Sequence, residues 1–243
     1  MAEVINIKAS IVIPCFNESG NLIKLFEVCD ALRKKENIEF VFVNNGSTDN
    51  SQTIFKKLIR TYPEIIIVSI KKNEGYGGGI MRGLEKCSSD ILGWTHADLQ
   101  SDPKDLAFAI KFFNKNNKKI LVKGLRKKRA VISSSISFFM TLFEFFYMRK
   151  YMYEINAQPT VFHRSFYDEW FKAPKDFGLD LFVFYSAKMQ GIKIIRFPVI
   201  YYPRHSGSSS WNDDFFSYIK QIFRTFSMSA KIKKNYHSNE LLD

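Results

Sequence analysis

Short apolar runs alternate with amphipathic stretches through the first half of the chain. "ASIVIP" (9–14) is β-branched, closes on Pro14 and predicts a buried strand. "IEFVFV" (38–43), "EIIIVSI" (64–70), "DILGWTH" (90–96) and "KKILVKG" (118–124) predict four more. Between them lie helical periodicities. Leu22, Leu25, Phe26, Cys29 and Leu32 mark a helix over 19–35 with Ser19 as N-cap. A second helix runs through Leu58 and Ile59, capped by Ser47 or Asp49, and a third covers 79–87 after a "GYGGG" loop. A fourth spans 101–116, with Pro103 near its first turn. Strand–helix repetition with short connections predicts an α/β fold whose mostly parallel sheet is covered by helices on both faces. Ligands of such sheets bind at the carboxyl ends of the strands. Three polar loops fall there: Asn17-Glu18, Asn44 to Asp49, and His96 to Asp98.

The alternation breaks after residue 125. "RKKRAVISSSISFFMTLFEFFYMRK" (126–150) begins and ends with cations. On a helical wheel Ser133, Ser134, Ser137, Thr141 and Glu144 share one side, and Ile132, Ile136, Phe139, Leu142, Phe143 and Phe146 the other. A Phe-rich amphipathic helix over 131–150 flanked by Lys and Arg suits a membrane–water boundary. It equally suits a core position, or a face between copies of the chain in a homo-oligomer. A helix over 177–190, one or two strands in 192–202 and a last helix over 213–234 with a basic end follow. Three stretches result: 1–125, 126–212 including the amphipathic helix, and 213–243.

Charge and cysteines narrow the partners. With 36 Lys and Arg against 24 Asp and Glu, the formal net charge is +12, which favours anionic partners: nucleic acid, nucleotide phosphates or an anionic membrane surface. The cations are dispersed rather than interleaved with stacking aromatics, which argues against nucleic acid. Cys15, Cys29 and Cys87 are scattered and form no CxxC pair, which points to a reducing compartment. No secretory leader pattern and no run of about 18 apolar residues is present, so the expectation is a cytoplasmic protein, peripherally associated with the membrane's inner face.

Five segments in order carry a family likeness: "VIPCFNES", "VNNGSTDNS", "NEGYGGGIMRGL", "HADLQSDP" and "PRHSGSSSW". From about Ser10 to Trp211 the chain resembles family 2 glycosyltransferases of the GT-A fold, and within them the dolichyl- and polyprenyl-phosphate sugar synthases. The resemblance implies a nucleotide-diphosphate sugar as donor and a divalent cation, Mn²⁺ or Mg²⁺, as cofactor. It also implies a polyprenyl-phosphate or lipid-linked glycan acceptor and inversion at the anomeric carbon. Alternatives are transfer to a sugar hydroxyl of a growing glycan, or nucleotide-sugar binding without catalysis.

Carried onto this chain, the likeness makes Asp98 the metal ligand in the position of the family's Asp-x-Asp. His96 replaces the first carboxylate, and imidazole suits Mn²⁺ better than Mg²⁺. Pro14, Asn17, Glu18, Ala97 and Gly75 would line the nucleotide pocket. Asn44, where the family has an acid, would meet the base, with turn-making as its alternative role. Lys72 and Arg82 are cations for phosphate or for solvent. The glycines of 75–79 match neither a dinucleotide fingerprint nor a P-loop, and are expected to let the chain pass close to the donor. Arg204 would pair with the diphosphate and Ser209 would donate to it. Asp180 stands near the family's general base, needed for a hydroxyl acceptor but not for a phosphate. Arg126, Lys128 and Arg129, with Lys127, would hold an acceptor phosphate. Asn156, Gln158 and Thr160 stand near the acceptor.

Overall fold

The computed structural model describes residues 8–114, 117–127, 141–204 and 215–239. Seven strands form one sheet: β1 (Ala9–Cys15), β2 (Ile38–Asn45), β3 (Ile66–Ile70), β4 (Ile91–Trp94), β5 (Ile120–Lys127), β6 (Thr160–His163) and β7 (Lys193–Ile200). Their spatial order is β3-β2-β1-β4-β6-β5-β7, and every pairing is parallel except those that β6 makes with β4 and β5. The helices are α1 (Leu22–Lys35), α2 (Ser51–Thr61), α3 (Tyr76–Leu84), α4 (Asp105–Ile110), α5 (residues 141–148), α6 (Arg164–Asp168), α7 (Leu179–Met189) and α8 (Phe215–Asn239).

Alternation along the strands divides the core in two. Ile11 and Ile13 of β1, with Phe40 and Phe42 of β2, face α1, α2 and α4. Val12, Val41 and Val43 face the opposite layer, built from α3, α7 and Ile232 of α8. A period of two puts successive side chains on opposite faces, so a sheet covered on both sides needs apolar residues at every position. Phe26 of α1 meets Phe42 at 4.0 Å between ring centroids. Pro198 lies in β7, which forms the edge of the sheet, where a missing N–H costs no ladder bond.

Several boundaries differ from the expectation. The third helix begins at Tyr76, so "YGGG" is its first turn and not loop. In α1 the N-cap position is Asn21, with no side-chain cap; Ser19 lies before the helix and its N–H is bound by Asp49. The fourth helix is short, ending at Ile110. Thr160–His163 forms a strand although its four residues are too few to show a period, and it slots antiparallel between β4 and β5.

The described part of the amphipathic helix is reversed in polarity. In α5, Thr141 and Glu144 from the polar side of the wheel are buried. Leu142, Phe145 and Phe146 are 42%, 45% and 70% exposed. The inner face docks on α8: Ser229 Oγ donates to Glu144 Oε1 at 2.6 Å, and Phe143 meets Phe226 at 4.0 Å. Lys233 Nζ donates to the Tyr147 carbonyl at 2.8 Å and covers the Tyr147 ring. Phe223 of α8 is also exposed, so the helix pair presents an aromatic surface. Among the described residues no helix is long and apolar enough to cross a membrane.

Candidate active site

The loops after β1 and β2 hold each other. Asn17 adopts φ +57°, a left-handed conformation that Asn tolerates better than most residues. Its carbonyl accepts from Thr48 N at 2.8 Å and Asp49 N at 3.3 Å. Glu18 N donates to Ser51 Oγ, and Asp49 accepts from Ser19 N and from Ser51 N in the first turn of α2. Asn44 Oδ1 accepts from Ser47 N at 3.2 Å, while its amide donates to Gln52. Both asparagines therefore use their side chains to build turns, the alternative raised for Asn44 from sequence.

Asn45 holds the next loop. Its amide donates to the Gly75 carbonyl at 2.9 Å and its carbonyl accepts from Glu74 N at 3.1 Å. Gly75 has φ +85°, and a Cβ there would lie 2.4 Å from the Lys175 carbonyl oxygen. One on Gly77 would lie 2.3 Å from the Pro174 carbonyl oxygen. These glycines admit the 174–176 backbone. That close approach stacks Tyr76 on Phe177 at 5.1 Å and brings its hydroxyl to the head of α7.

Two buried carboxylates organise what lies between the loops. Asp98 follows β4 and is 6% exposed. Its Oδ1 accepts from Gln100 N at 3.1 Å, and Arg204 Nη2 donates to Oδ2 at 3.1 Å. The same guanidinium reaches Glu18 Oε1 through Nη1 at 3.5 Å. Burial raises the Glu18 pKa, against the pull of Asn21 and Arg204. Arg204 thus bridges acids from the ends of β1 and β4.

Asp180, at the start of α7, is 2% exposed and meets three donors. Lys123 Nζ from β5 lies 3.2 Å from Oδ1, Gln158 Nε2 lies 3.1 Å from Oδ1, and the Tyr76 hydroxyl donates to Oδ2 at 2.9 Å. Lys123 is wholly buried and also contacts Thr160 Oγ1 at 2.5 Å; burial lowers its pKa to about 8, opposed by the Asp180 anion. Burial, and then Asp180, push the Tyr76 phenol well above its ordinary range. His96 Nε2 lies 3.0 Å from the Tyr76 oxygen, which joins the two carboxylate regions.

Of the residues singled out from sequence, the structure brings together Asp98, Arg204 and Glu18, and separately His96, Asp180, Gln158 and Thr160. Ala97 is buried between the two groups in sequence, and Pro14 is half-buried in β1. Lys72 is exposed. Arg82 pairs with Glu74 at 3.0 Å, as a solvated cation would. Arg126 is bound by Glu154 and lies over the Tyr201 ring. Lys128, Arg129 and Ser209 lie outside the described residues. Tyr76 and Lys123 were not anticipated. A lone Lys inside the β5 run "ILVKGL" was the available signal, since a cation among strand apolars needs a buried partner.

A divalent ion has limited donors here. Among the described residues no group of three or more His, Cys, Asp or Glu side chains is arranged to hold one. Asp98 offers a carboxylate, and His96 Nδ1 has no hydrogen-bond partner among the described residues. One carboxylate and one imidazole fit an ion whose remaining ligands are water and diphosphate oxygens.

Comparisons with known proteins agree with this architecture. An undecaprenyl-phosphate 4-deoxy-4-formamido-L-arabinose transferase from Pseudomonas savastanoi is 35% identical over 100 residues, 40% of this chain and 30% of the relative. A dolichol-phosphate mannosyltransferase from Pyrococcus furiosus is 32% identical over 97 residues, 40% of this chain and 27% of the relative. The chain therefore spans under a third of the length of these curated relatives. In structure it resembles a Pyrobaculum calidifontis mannosyltransferase solved with GDP-Man and Mn²⁺: TM-score 0.65, 14% identity, 94% of this chain and 65% of that one. That likeness establishes the GT-A fold. The family model described as "Glycosyl transferase family 2" matches residues 10–170, covering every strand from β1 to β6, and the chain belongs to that family.

Proposed function

We propose that the protein moves a sugar from a nucleoside-diphosphate sugar to a polyprenyl-phosphate-type acceptor at a membrane surface, with inversion and with a divalent ion held by Asp98. Family membership supports the reaction class, and the two polyprenyl-linked relatives support the acceptor class. The observation that carries the acceptor assignment is the reversed polarity of α5. An aromatic face 45% exposed at Phe145 and 70% exposed at Phe146 is turned outward on a chain of net charge +12. Apolar side chains among cations suit the boundary of an anionic bilayer, where a lipid-linked phosphate resides.

The chemistry follows from the two carboxylates. A bound dication would stabilise charge on the departing diphosphate as a Lewis acid. Asp98 and His96 would hold it, and Arg204, already between Asp98 and Glu18, is placed to pair with a phosphate oxygen. A phosphate acceptor arrives as an anion and loses no proton, so no base is required. Asp180 suits that requirement, because its carboxylate already accepts from Lys123, Gln158 and Tyr76.

The test is transfer from a panel of radiolabelled nucleotide sugars to polyprenyl phosphate in anionic vesicles, with Mn²⁺ or Mg²⁺. Labelled lipid from at least one donor, lost on chelation, is expected. Transfer only to glycan hydroxyls, with none to polyprenyl phosphate, would overturn the acceptor assignment. Asp180→Asn cannot decide between acceptors by activity alone, because it would strand the buried Lys123 cation.

A further inference from the structure

We propose that Arg224 of α8 takes the phosphate of the acceptor, and that the acceptor's apolar chain reaches it along the aromatic surface shared by α5 and α8. This rests on the polyprenyl-phosphate reading above and names the side chain that recognises the acceptor.

A chain of ring contacts connects that surface to the candidate site. Phe143 of α5 meets Phe226 of α8 at 4.0 Å between centroids, and Phe226 meets the exposed Phe223 at 6.5 Å. The next residue is Arg224, whose guanidinium carbon lies over the Phe177 ring, 5.3 Å from its centroid. Phe177 in turn stacks on Tyr76 at 5.1 Å with 11° between the planes, and Tyr76 donates to Asp180. Four residues further along α8, Met228 packs on the head of α7: a Cβ on Gly178 would lie 3.4 Å from its Sδ. Residues four apart share a helix face, so Arg224 and Met228 both look toward the segment that carries Phe177, Gly178 and Asp180. One helix therefore presents exposed aromatic rings and, beside them, a cation at the rim of the Asp180 group.

An isoprenyl phosphate matches that pairing. Its head is a phosphate monoester carrying between one and two negative charges, joined to an apolar chain, so its site needs a cation bordering continuous apolar surface. A guanidinium meets phosphate oxygens with a planar fork of N–H groups, and an aromatic face steadies that fork without consuming them. Arg224 is exposed, and among the described residues no carboxylate pairs with it, so a phosphate meets it without displacing an acid. Arg204 is instead shared by Asp98 and Glu18. The two arginines thus suit two anions, the donor's diphosphate and the acceptor's phosphate. Bulk anionic lipid offers the same head chemistry; what favours the acceptor is the Phe177–Tyr76 stack, which ties Arg224 to the Asp180 group.

The test uses the full chain, its divalent ion and the donor found in the panel above. Initial rates are measured with citronellyl phosphate, a water-soluble isoprenyl phosphate, in the absence of vesicles. Arg224→Gln should raise the KM for that acceptor about 10-fold or more and leave the donor KM unchanged. Arg224→Lys, which keeps the charge but loses the fork, should fall between the two, and it carries the test if Arg224→Gln folds poorly. Sedimentation with phosphatidylglycerol vesicles separates the two sources of phosphate. Arg224→Gln should weaken it by a few-fold at most, the share of one cation near an anionic surface. A large loss of vesicle binding with an unchanged citronellyl phosphate KM would assign Arg224 to bulk headgroups and overturn the proposal. Lower melting with an unchanged acceptor KM would make it a clamp between α8 and α7, and would overturn the proposal too. Either result leaves the reaction class standing. A wild-type chain that transfers neither to citronellyl phosphate nor to polyprenyl phosphate in vesicles would remove the reading on which the proposal rests.

Discussion

Asp98 and Asp180 are both buried carboxylates paired with cations, and the difference between the cations separates two kinds of site. The partner of Asp98 is Arg204, on the segment after β7 and 26% exposed in its side chain. It divides its hydrogen bonds between Asp98 and Glu18, so a phosphate or a metal ion could exchange with it. The partner of Asp180 is Lys123, in the middle of a strand and wholly buried, which no ligand could displace without opening the core. On the proposed reading the first pair is exchanged and the second persists. Glu144 supplies the control: among the described residues its buried carboxylate is bound by one hydroxyl and no cation, and burial raises its pKa to about 7.

Breaking the permanent pair should have the largest effect. Lys123→Met leaves Asp180 buried and unpaired, and should cost about 3–5 kcal/mol of stability, read by denaturant unfolding. The double variant Lys123→Met/Asp180→Asn should recover part of that loss, a coupling that independent sites would not show.

The exchangeable pair should respond differently. Arg204→Gln is expected to lower kcat about 100-fold through lost phosphate pairing, by analogy with removal of an electrostatic donor. It should cost less stability than Lys123→Met, because the Arg204 side chain is partly exposed, and tighten Mn²⁺ binding in the absence of nucleotide, since the guanidinium no longer competes for Asp98. Weaker nucleotide-free Mn²⁺ binding in that variant would contradict the exchange.

Glu144 sharpens the comparison through pH. Its folded pKa lies above the ordinary value of 4.5, so the neutral form is the one the fold favours. Stability from that group is fully present below about pH 4.5 and is lost as pH rises through about 7. Glu144→Gln should therefore melt above wild type at pH 8, by up to about 2–3 kcal/mol in unfolding free energy, and match it near pH 4.5.

The smallest effect concerns the outward face of α5. Phe146→Ser should leave melting unchanged, because the ring is 70% exposed, and weaken binding to anionic vesicles by roughly 5- to 10-fold. Unaltered vesicle sedimentation together with altered oligomeric state would assign the face to a second copy of the chain instead.

The parallel half of the fold was legible because each strand there is an uninterrupted apolar run bounded by turn residues, and burial on both faces writes that run into sequence. β6 was not, because the four residues Thr160–His163 are too few to carry a period and an antiparallel insertion has no local signal. Asp98 was visible from its loop alone, while its partner Arg204 stood 106 residues away and entered through the family resemblance. The Asp180–Lys123–Tyr76 group is assembled from three distant elements, so spacing could not reveal it. Of the α5 wheel, Leu142 and Phe146 stay on the exposed side, while Phe143 from that same side packs on Phe226 and Glu144 turns inward onto Ser229, a tertiary matter.

The central claim is that Asp98 anchors a dication against the donor's diphosphate. Mn²⁺ titration in the presence of the best-binding nucleoside diphosphate, followed by electron paramagnetic resonance in wild type and Asp98→Asn, tests it directly. The account predicts one nucleotide-dependent Mn²⁺ site in the wild-type chain and at least about 100-fold weaker binding in the variant. Equal Mn²⁺ binding by the two chains would contradict it.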